Sequence, residues 1–568
     1  MAARTRGLYP APMRRVLLPA LFALALVAAT RPHPAAAAST PLGADTAFLD
    51  GSFALASGNP AIAARYFTQA LARRPQDSLL LHRAFAAALM AGTPEAATLA
   101  RRLPGNDAAT LLLIAGDMRA RRFAAASNRL AGLRAIGPAG PLLPVLHAWL
   151  AEAQGHPRQA LAALAPRVAA ADAPGFFLLQ AGLIADLTGQ TAAARGFYHR
   201  TRLALGVTDL RVATILASFD ARHHRRARAL STLAAMVAGS PEFAIALPAL
   251  AAGLNHRPVA IPADGIAEAF LGLGATLRAA DRPEAALLML RLALAARPGF
   301  APARLLAAEL LGDQGKTADA LALLDGIART DPLTPVAALQ RADLLRRAGK
   351  SAQALAVLTQ LEAHFPHSAM PFAEAGDVLR TLHHPHRAAA AYSRALALSA
   401  PLTRRDWVLL YNRGIARDSF HDWAGAEADF RHALTLLPDQ PLVLNYLGYS
   451  WADRGVHLNR ALTMIEMAAK QRPDSAAITD SLGWVLYRRH DIAHALAVEQ
   501  RAAEMAPADA TINAHLGDVY WAAGHRLEAR YQWQRALTLG PSPAEAAAIR
   551  ARLRKGLTAA LARAPAPH

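Results

Sequence analysis

The chain contains no cysteine in its 568 residues. Disulfides, thiolate zinc sites, a thiol nucleophile and a lipid-modified N-terminal cysteine are therefore excluded. Lysine is nearly as scarce, occurring only at Lys316, Lys350, Lys470 and Lys555, so arginine carries almost all of the +19 formal charge. Aromatic residues make up 6 % of the chain, whereas alanine supplies close to a quarter. That balance favours helix over sheet. Charged residues are few at 18 %, but the 54 % hydrophobic share rules out wholesale disorder. A chain this long exceeds one ordinary core, which leaves several domains or a repeat array.

Residues 1–38 read as a secretory signal. Arg4, Arg6, Arg14 and Arg15 precede an apolar run of 14 residues from Val16 to Ala29, and Ala36-Ala37-Ala38 offers small residues for cleavage. The run ends at Arg31 and Pro32, short of the ~20 apolar residues a membrane span needs. No later stretch is long and apolar enough to cross a bilayer. Removal of the segment would leave a charge of about +14. An exported basic protein can meet anionic headgroups, cell-wall polymers or acidic proteins, whereas nucleic acid is an improbable partner there.

The rest of the chain repeats. A small-residue column runs through Gly274, Ala308, Ala342, Gly376, Gly414, Gly448, Gly483 and Gly517, in steps of 34, 34, 34, 38, 34, 35 and 34. Twelve or thirteen residues later lies an invariant second column: Ala286, Ala320, Ala354, Ala388, Ala426, Ala461, Ala495 and Ala529. A third column holds Pro298, Pro332, Pro366, Pro438, Pro473, Pro507 and Pro541, with Ala400 as the exception. Each column has a physical task. Small side chains let two helices, A and B, approach closely. Gly315, Gly349, Gly455 and Gly524 suit the left-handed turn between them, and the proline stops helix B. Tyr392, Phe430 and Trp533, four residues after their alanines, share the alanine face and fill the remaining space.

This pattern resembles the tetratricopeptide repeat, and its best match ends at Pro541. The resemblance implies an all-α fold, a right-handed superhelical solenoid of about 13–14 helix pairs in which each repeat buries its neighbour's apolar face. Fainter repeats precede it: Gly58, Ala63, Phe67, Ala70 and Pro75 mark one, Gly92, Phe123, Gly155 and Gly189 mark four more, and Leu216–Ala229 a weak sixth. The expected organisation is a signal peptide (1–38), a degenerate array (39–238), a proline-rich joint (239–265) holding Pro241, Pro248, Pro258 and Pro262, a regular array (266–541), and a cap helix with a disordered tail (542–568).

No phosphate-cradling loop, zinc-protease motif or nucleophile elbow is present. His383, His384 and His386 cluster at an expected A–B turn, where Pro385 and the lack of a nearby carboxylate favour a solvated turn over a metal site. Asp343, Asp377 and Asp518 lie a repeat or more apart, too far to act on one bond. The expectation is a non-enzyme with no catalytic residue, cofactor or metal. Aromatic residues are the informative feature, because six of the seven tryptophans lie between Trp407 and Trp533. In tetratricopeptide helices A, the residues one and four after the small column and three before it face the inner groove. Here that resemblance selects Tyr411, Asn445, Tyr449, Asp480, Trp484, Tyr487, Asp518 and Trp521, with Arg488 beside them, as a partner-binding groove. Tyr, Trp and Arg are enriched at binding hot spots. Trp451 and Tyr520 fall at the core column and are discounted. The Lys and Asn pattern of the two-carboxylate clamp of chaperone-binding members is missing.

The phrases N-Y-L-G-Y-S-W-A-D-R-G, D-S-L-G-W-V-L-Y-R-R and H-L-G-D-V-Y-W-A-A-G, with the one-residue insertion at Val456–Arg460, also resemble a proteobacterial envelope family. One of its members is a lipoprotein adaptor that presents cell-wall hydrolases to the carboxyl-terminal processing protease. The resemblance implies an exported, periplasmic scaffold for protein partners, with a protease and its substrates among them and peripheral contact with membrane or cell wall. The rival expectation is a structural subunit of a polysaccharide or outer-membrane export machine. The oligomeric state is not readable from the sequence.

Overall fold

A computed structural model describes residues 43–133 and 140–561. The expected signal segment and the end of the tail lie outside the described residues. Among those residues there are 30 α-helices, three short 3-10 helices and no strand. No described helix is long and apolar enough to cross a membrane. The helices succeed one another as fourteen packed pairs, six before Pro241 and eight after Ile261, and helix Pro543–Leu561 closes the array. The protein is an all-α repeat solenoid.

The columns of the sequence become the contact surfaces of each pair. All eight alanines from Ala286 to Ala529 have 0 % exposure. The glycine of helix A lies not against that alanine but against the side chain four residues beyond it. A Cβ built on Gly376 would stand 2.5 Å from the Tyr392 ring, on Gly414 2.6 Å from Phe430, and on Gly517 2.5 Å from Trp533. Large and small side chains thus interlock, as close-packed interiors require. The same exchange recurs in the faint repeats, where Gly51 faces Phe67 and Gly182 faces Tyr198.

Turns between A and B helices require a left-handed residue, and glycine supplies it at Gly315, Gly349 and Gly524 (φ 75°, 74° and 89°). Histidine takes the same place at His224, His383, His421 and His490. His383 is thus a turn residue, and the neighbouring His386 stacks on Phe420 at 3.9 Å.

Between the sixth and seventh pairs the chain runs through two 3-10 segments, Pro241–Ala246 and Gly253–Asn255, around the short helix Leu247–Ala252. The following helix, Pro262–Ala279, crosses the first-half helices Asp107–Arg119, Leu142–Ala153 and Gly175–Leu187. Its partner Pro283–Ala296 packs on Ser78–Ala91 and Asp107–Arg119. A Cβ on Gly265 would lie 2.2 Å from Trp149, so only glycine admits that ring. Trp149 in turn donates from Nε1 to Gln180 Oε1 at 2.8 Å. Arg211 is ion-paired with buried Glu268, Arg119 donates to the Ala295 carbonyl at 3.1 Å, and Arg291 donates to the Met90 carbonyl at 2.9 Å. One apolar core therefore runs from Ala47 to Val378 across both halves. Four first-half A helices, Ser78–Ala91, Asp107–Arg119, Leu142–Ala153 and Gly175–Leu187, are thus packed against helices of the second half.

Candidate functional site

Four A helices carry the aromatic-rich region: Trp407–Asp418, Pro441–Arg454, Ala476–Arg488 and Ala510–Ala522. Their B partners are Trp423–Leu436, Leu458–Gln471, Ile492–Met505 and Arg526–Thr538. Side-chain caps start several of them. Asp422 accepts from Gly425 N, and Asp509 accepts from Thr511 N and Ile512 N.

Tyr411, Asn445, Tyr449, Tyr487, Arg488 and Trp521 are half-buried, with one edge open. Tyr411 packs edge-on against Tyr446 at 5.9 Å and beside Trp407 at 6.0 Å, and burial pushes its phenol up to about 12. Tyr446 itself donates to Asp418 at 3.1 Å. The Tyr449 and Tyr487 phenols are also raised, mainly by desolvation. Both therefore stay neutral donors at physiological pH. Arg488 is held by the Asp453 carbonyl at 2.5 Å, and Asn445 Oδ1 has no hydrogen-bond partner. Trp521 lies under the Arg526 guanidinium at 4.0 Å. The closing helix breaks at Gly556 (φ 73°), where a Cβ would come within 2.4 Å of the Trp521 ring.

Three of the nine expected groove residues are interior instead. Trp484 is 7 % exposed, Asp480 6 % and Asp518 1 %. The following repeat covers each of them. His515 of the next A helix stacks on Trp484 at 4.2 Å, with 19° between the rings, and its Nδ1 lies 2.9 Å from Asp480 Oδ1. Asp518 accepts from Trp533 Nε1 at 2.8 Å and from Arg552 of the closing helix at 3.0 Å. Reading one repeat at a time places the residue after the glycine in the groove, but the lateral contact between A helices takes it inside. Trp451 is buried at 1 %, in the core column, whereas Tyr520 remains half-buried and accepts from Gln500.

His515, Glu499 and Arg552 are the residues the sequence analysis passed over. Glu499 carried a visible signal. It occupies the column four residues after the alanine, where Leu290, Leu324, Leu358, Tyr392, Phe430, Ile465 and Trp533 stand in the other regular repeats. Burial, and then the neighbouring Asp480, holds its carboxyl well above the usual range. Burial opposes the charged form of His515, but Asp480 outweighs it and raises the ring's pKa.

The remaining aspartates of the small-column face are taken up by the fold. Asp377 accepts from the Tyr392 hydroxyl at 2.5 Å and from Asn412 at 3.2 Å, and Asp343 pairs with Arg346 at 2.5 Å.

Residues 277–342 match the family model of the tetratricopeptide repeat. A TPR repeat-containing protein of Pseudomonas aeruginosa is 38 % identical over 113 residues, 20 % of this chain and 19 % of that protein. The chain thus spans about a fifth of that relative's length. Among solved structures, a tetratricopeptide repeat protein from Parabacteroides merdae is similar at 17 % identity and a TM-score of 0.36, over 44 % of this chain and 96 % of that one. The hetero-tetramer Cut9–Hcn1 of the APC/C is similar at 15 % identity and a TM-score of 0.38, over 90 % and 96 %. YrrB, a TPR protein with an unusual peptide-binding site, is similar at 19 % identity and a TM-score of 0.27, over 34 % and 97 %.

Proposed function

We propose that this tetratricopeptide-repeat protein is a non-enzymatic scaffold of the bacterial cell envelope that holds an extended segment of a protein partner in its C-terminal groove. Tetratricopeptide repeats in general mediate protein–protein contacts, and proteins of this fold are typically scaffolds without catalytic chemistry. The observation that carries the proposal is the row of half-open aromatic side chains at Tyr411, Tyr449, Tyr487 and Trp521, with Arg488 alongside. Rigid rings with one polar edge give contact area at low entropic cost, and the neutral phenols can donate to a peptide backbone. The envelope setting and the adaptor role, delivery of proteins to a processing protease, draw support from the signal-like N-terminus and from the three C-terminal phrases.

The test is affinity capture from envelope extract with the full chain and with a Tyr449→Ala/Tyr487→Ala variant. Both substituted residues are partly exposed, so the helical circular dichroism should persist while capture of a peptidase and its substrates falls by at least tenfold. Undiminished capture by the variant would remove the groove from consideration.

A further inference from the structure

Deep in the penultimate repeats, three successive helices each send one potential metal ligand to a common point. Asp480 comes from Ala476–Arg488, Glu499 from Ile492–Met505 and His515 from Ala510–Ala522. One ligand atom from each lies within 4.8 Å of the other two, and all three side chains are buried. We propose that this triad is a structural site for a divalent transition metal of the zinc class, binding through two carboxylates and one imidazole.

Three independent observations converge on the site. Glu499 has 0 % exposure, yet neither carboxylate oxygen has a hydrogen-bond partner. An orphaned buried carboxylate is costly, and a column that is otherwise apolar offers no structural reason for one. A cradle also exists for it. The carboxylate lies directly over Gly483, where a Cβ would stand 2.6 Å from Oε1, so the small-residue column here admits an acid where other repeats admit a ring. The imidazole, finally, is held in orientation from outside. Trp484 stacks flat on His515, Tyr449 lies 6.3 Å from it, and its Nδ1 lies 2.9 Å from Asp480 Oδ1, so the ring is fixed in place.

Charge balance points the same way. The neighbouring Asp518 is already matched by Arg552 at 3.0 Å. Asp480 already faces the His515 Nδ1 at 2.9 Å, and Glu499 is left as the carboxylate that no side chain answers. A divalent ion held between the three side chains would give Glu499 the partner it lacks. The donor set of one imidazole nitrogen and carboxylate oxygens suits zinc or cobalt rather than calcium, which takes oxygens alone. The ion would staple the last two complete repeats together directly behind the half-open Tyr449 and Tyr487.

The competing account is a proton shared between Asp480 and Glu499, and one experiment separates the two. Tag-free, chelator-treated full-length protein is dialysed against Co²⁺ or Zn²⁺ and analysed for bound metal, visible cobalt absorption and melting temperature. The wild-type chain should hold one metal per chain, show the ligand-field bands of a low-symmetry cobalt site, and melt several degrees higher with metal than without. Glu499→Gln and Glu499→Leu keep the fold, the second by restoring the apolar column. Each should weaken binding by more than the ~10–100-fold that loss of an outer-layer partner costs, and abolish the metal-dependent rise. A wild-type chain that binds no stoichiometric metal, while Glu499→Gln melts higher under all conditions, would overturn the proposal in favour of the shared proton. Cobalt binding that survives in both variants would overturn it too, because it would belong to surface histidines such as His383 and His386.

Discussion

The interlock of glycine and ring within each pair makes one substitution act in opposite directions at two sites. In a helix interior, Gly→Ala ordinarily stabilises by about 0.5–1 kcal/mol, because alanine loses less backbone entropy on folding. Gly196 lies exposed within helix Thr191–Leu205 and has nothing within 4 Å of a prospective Cβ. Gly196→Ala should therefore gain that full amount. Gly414 lies within helix Trp407–Asp418, and its Cβ would meet Phe430 Cε1 at 2.6 Å, Cζ at 2.8 Å and Cδ1 at 3.1 Å. Phe430 is itself 0 % exposed, with no free volume to move into. Overpacking a closed core costs about 1–3 kcal/mol, so the propensity gain is outweighed and Gly414→Ala should destabilise by about 1–2 kcal/mol net.

The cause can be isolated with Phe430→Leu, which removes the ring atoms that clash. In the double variant the alanine no longer meets the ring, and the two substitutions should couple favourably by about 1–2 kcal/mol. Repeat arrays can lose all-or-none behaviour, so the appropriate assay is hydrogen exchange resolved to the Trp407–Leu436 pair, alongside chemical unfolding of the whole chain. Protection should fall in that pair for Gly414→Ala and recover in the double variant. If Gly196→Ala and Gly414→Ala shifted stability in the same direction, or if the double variant were simply additive, the register that sets the small residue of helix A against the side chain four after the alanine would be wrong.

The remaining predictions concern charge. Burial, with Asp377 and Asp343 adding to it and Arg346 partly offsetting, pushes the Glu374 carboxyl up to about 8. A carboxyl raised in the folded state holds a proton that the unfolded chain releases above about pH 4.5, so stability should fall as pH rises from there to about 8. Glu374→Gln should match wild type near pH 4.5 and melt higher at pH 8, and parallel melting curves at both pH values would refute the shift. Arg211→Ala leaves Glu268, 3 % exposed, between the two halves with only Arg297 at 4.0 Å as a counter-ion. Breaking such a pair costs about 3–5 kcal/mol, and unfolding should separate into two transitions with earlier proteolysis near residue 258. A single unchanged transition would show that the halves are held by apolar contacts alone. The Tyr449→Ala/Tyr487→Ala variant should lose partner capture while its melting curve shifts little.

The fold was legible because each repeat needs the same three things at the same offsets: a small residue, an alanine and a helix stop. Such constraints are local, and they print directly onto the sequence. The groove was only partly legible because its walls are made between repeats. Whether Trp484 faces solvent depends on His515, 31 positions later, and whether Asp518 does depends on Arg552, 34 positions later. No single-repeat template contains that neighbour. The packing of Pro262–Ala279 onto the first-half helices was hidden for the same reason, since its apolar length reads as an ordinary A helix until Trp149 is found against Gly265. Glu499 shows how the limit can be turned into a method. Once the columns are known, the informative residue is the one whose chemistry contradicts its column. An acid where seven sister positions are apolar or aromatic must be answered by a proton or a cation, and aligning the columns marks Glu499 as a position that the sequence analysis passed over.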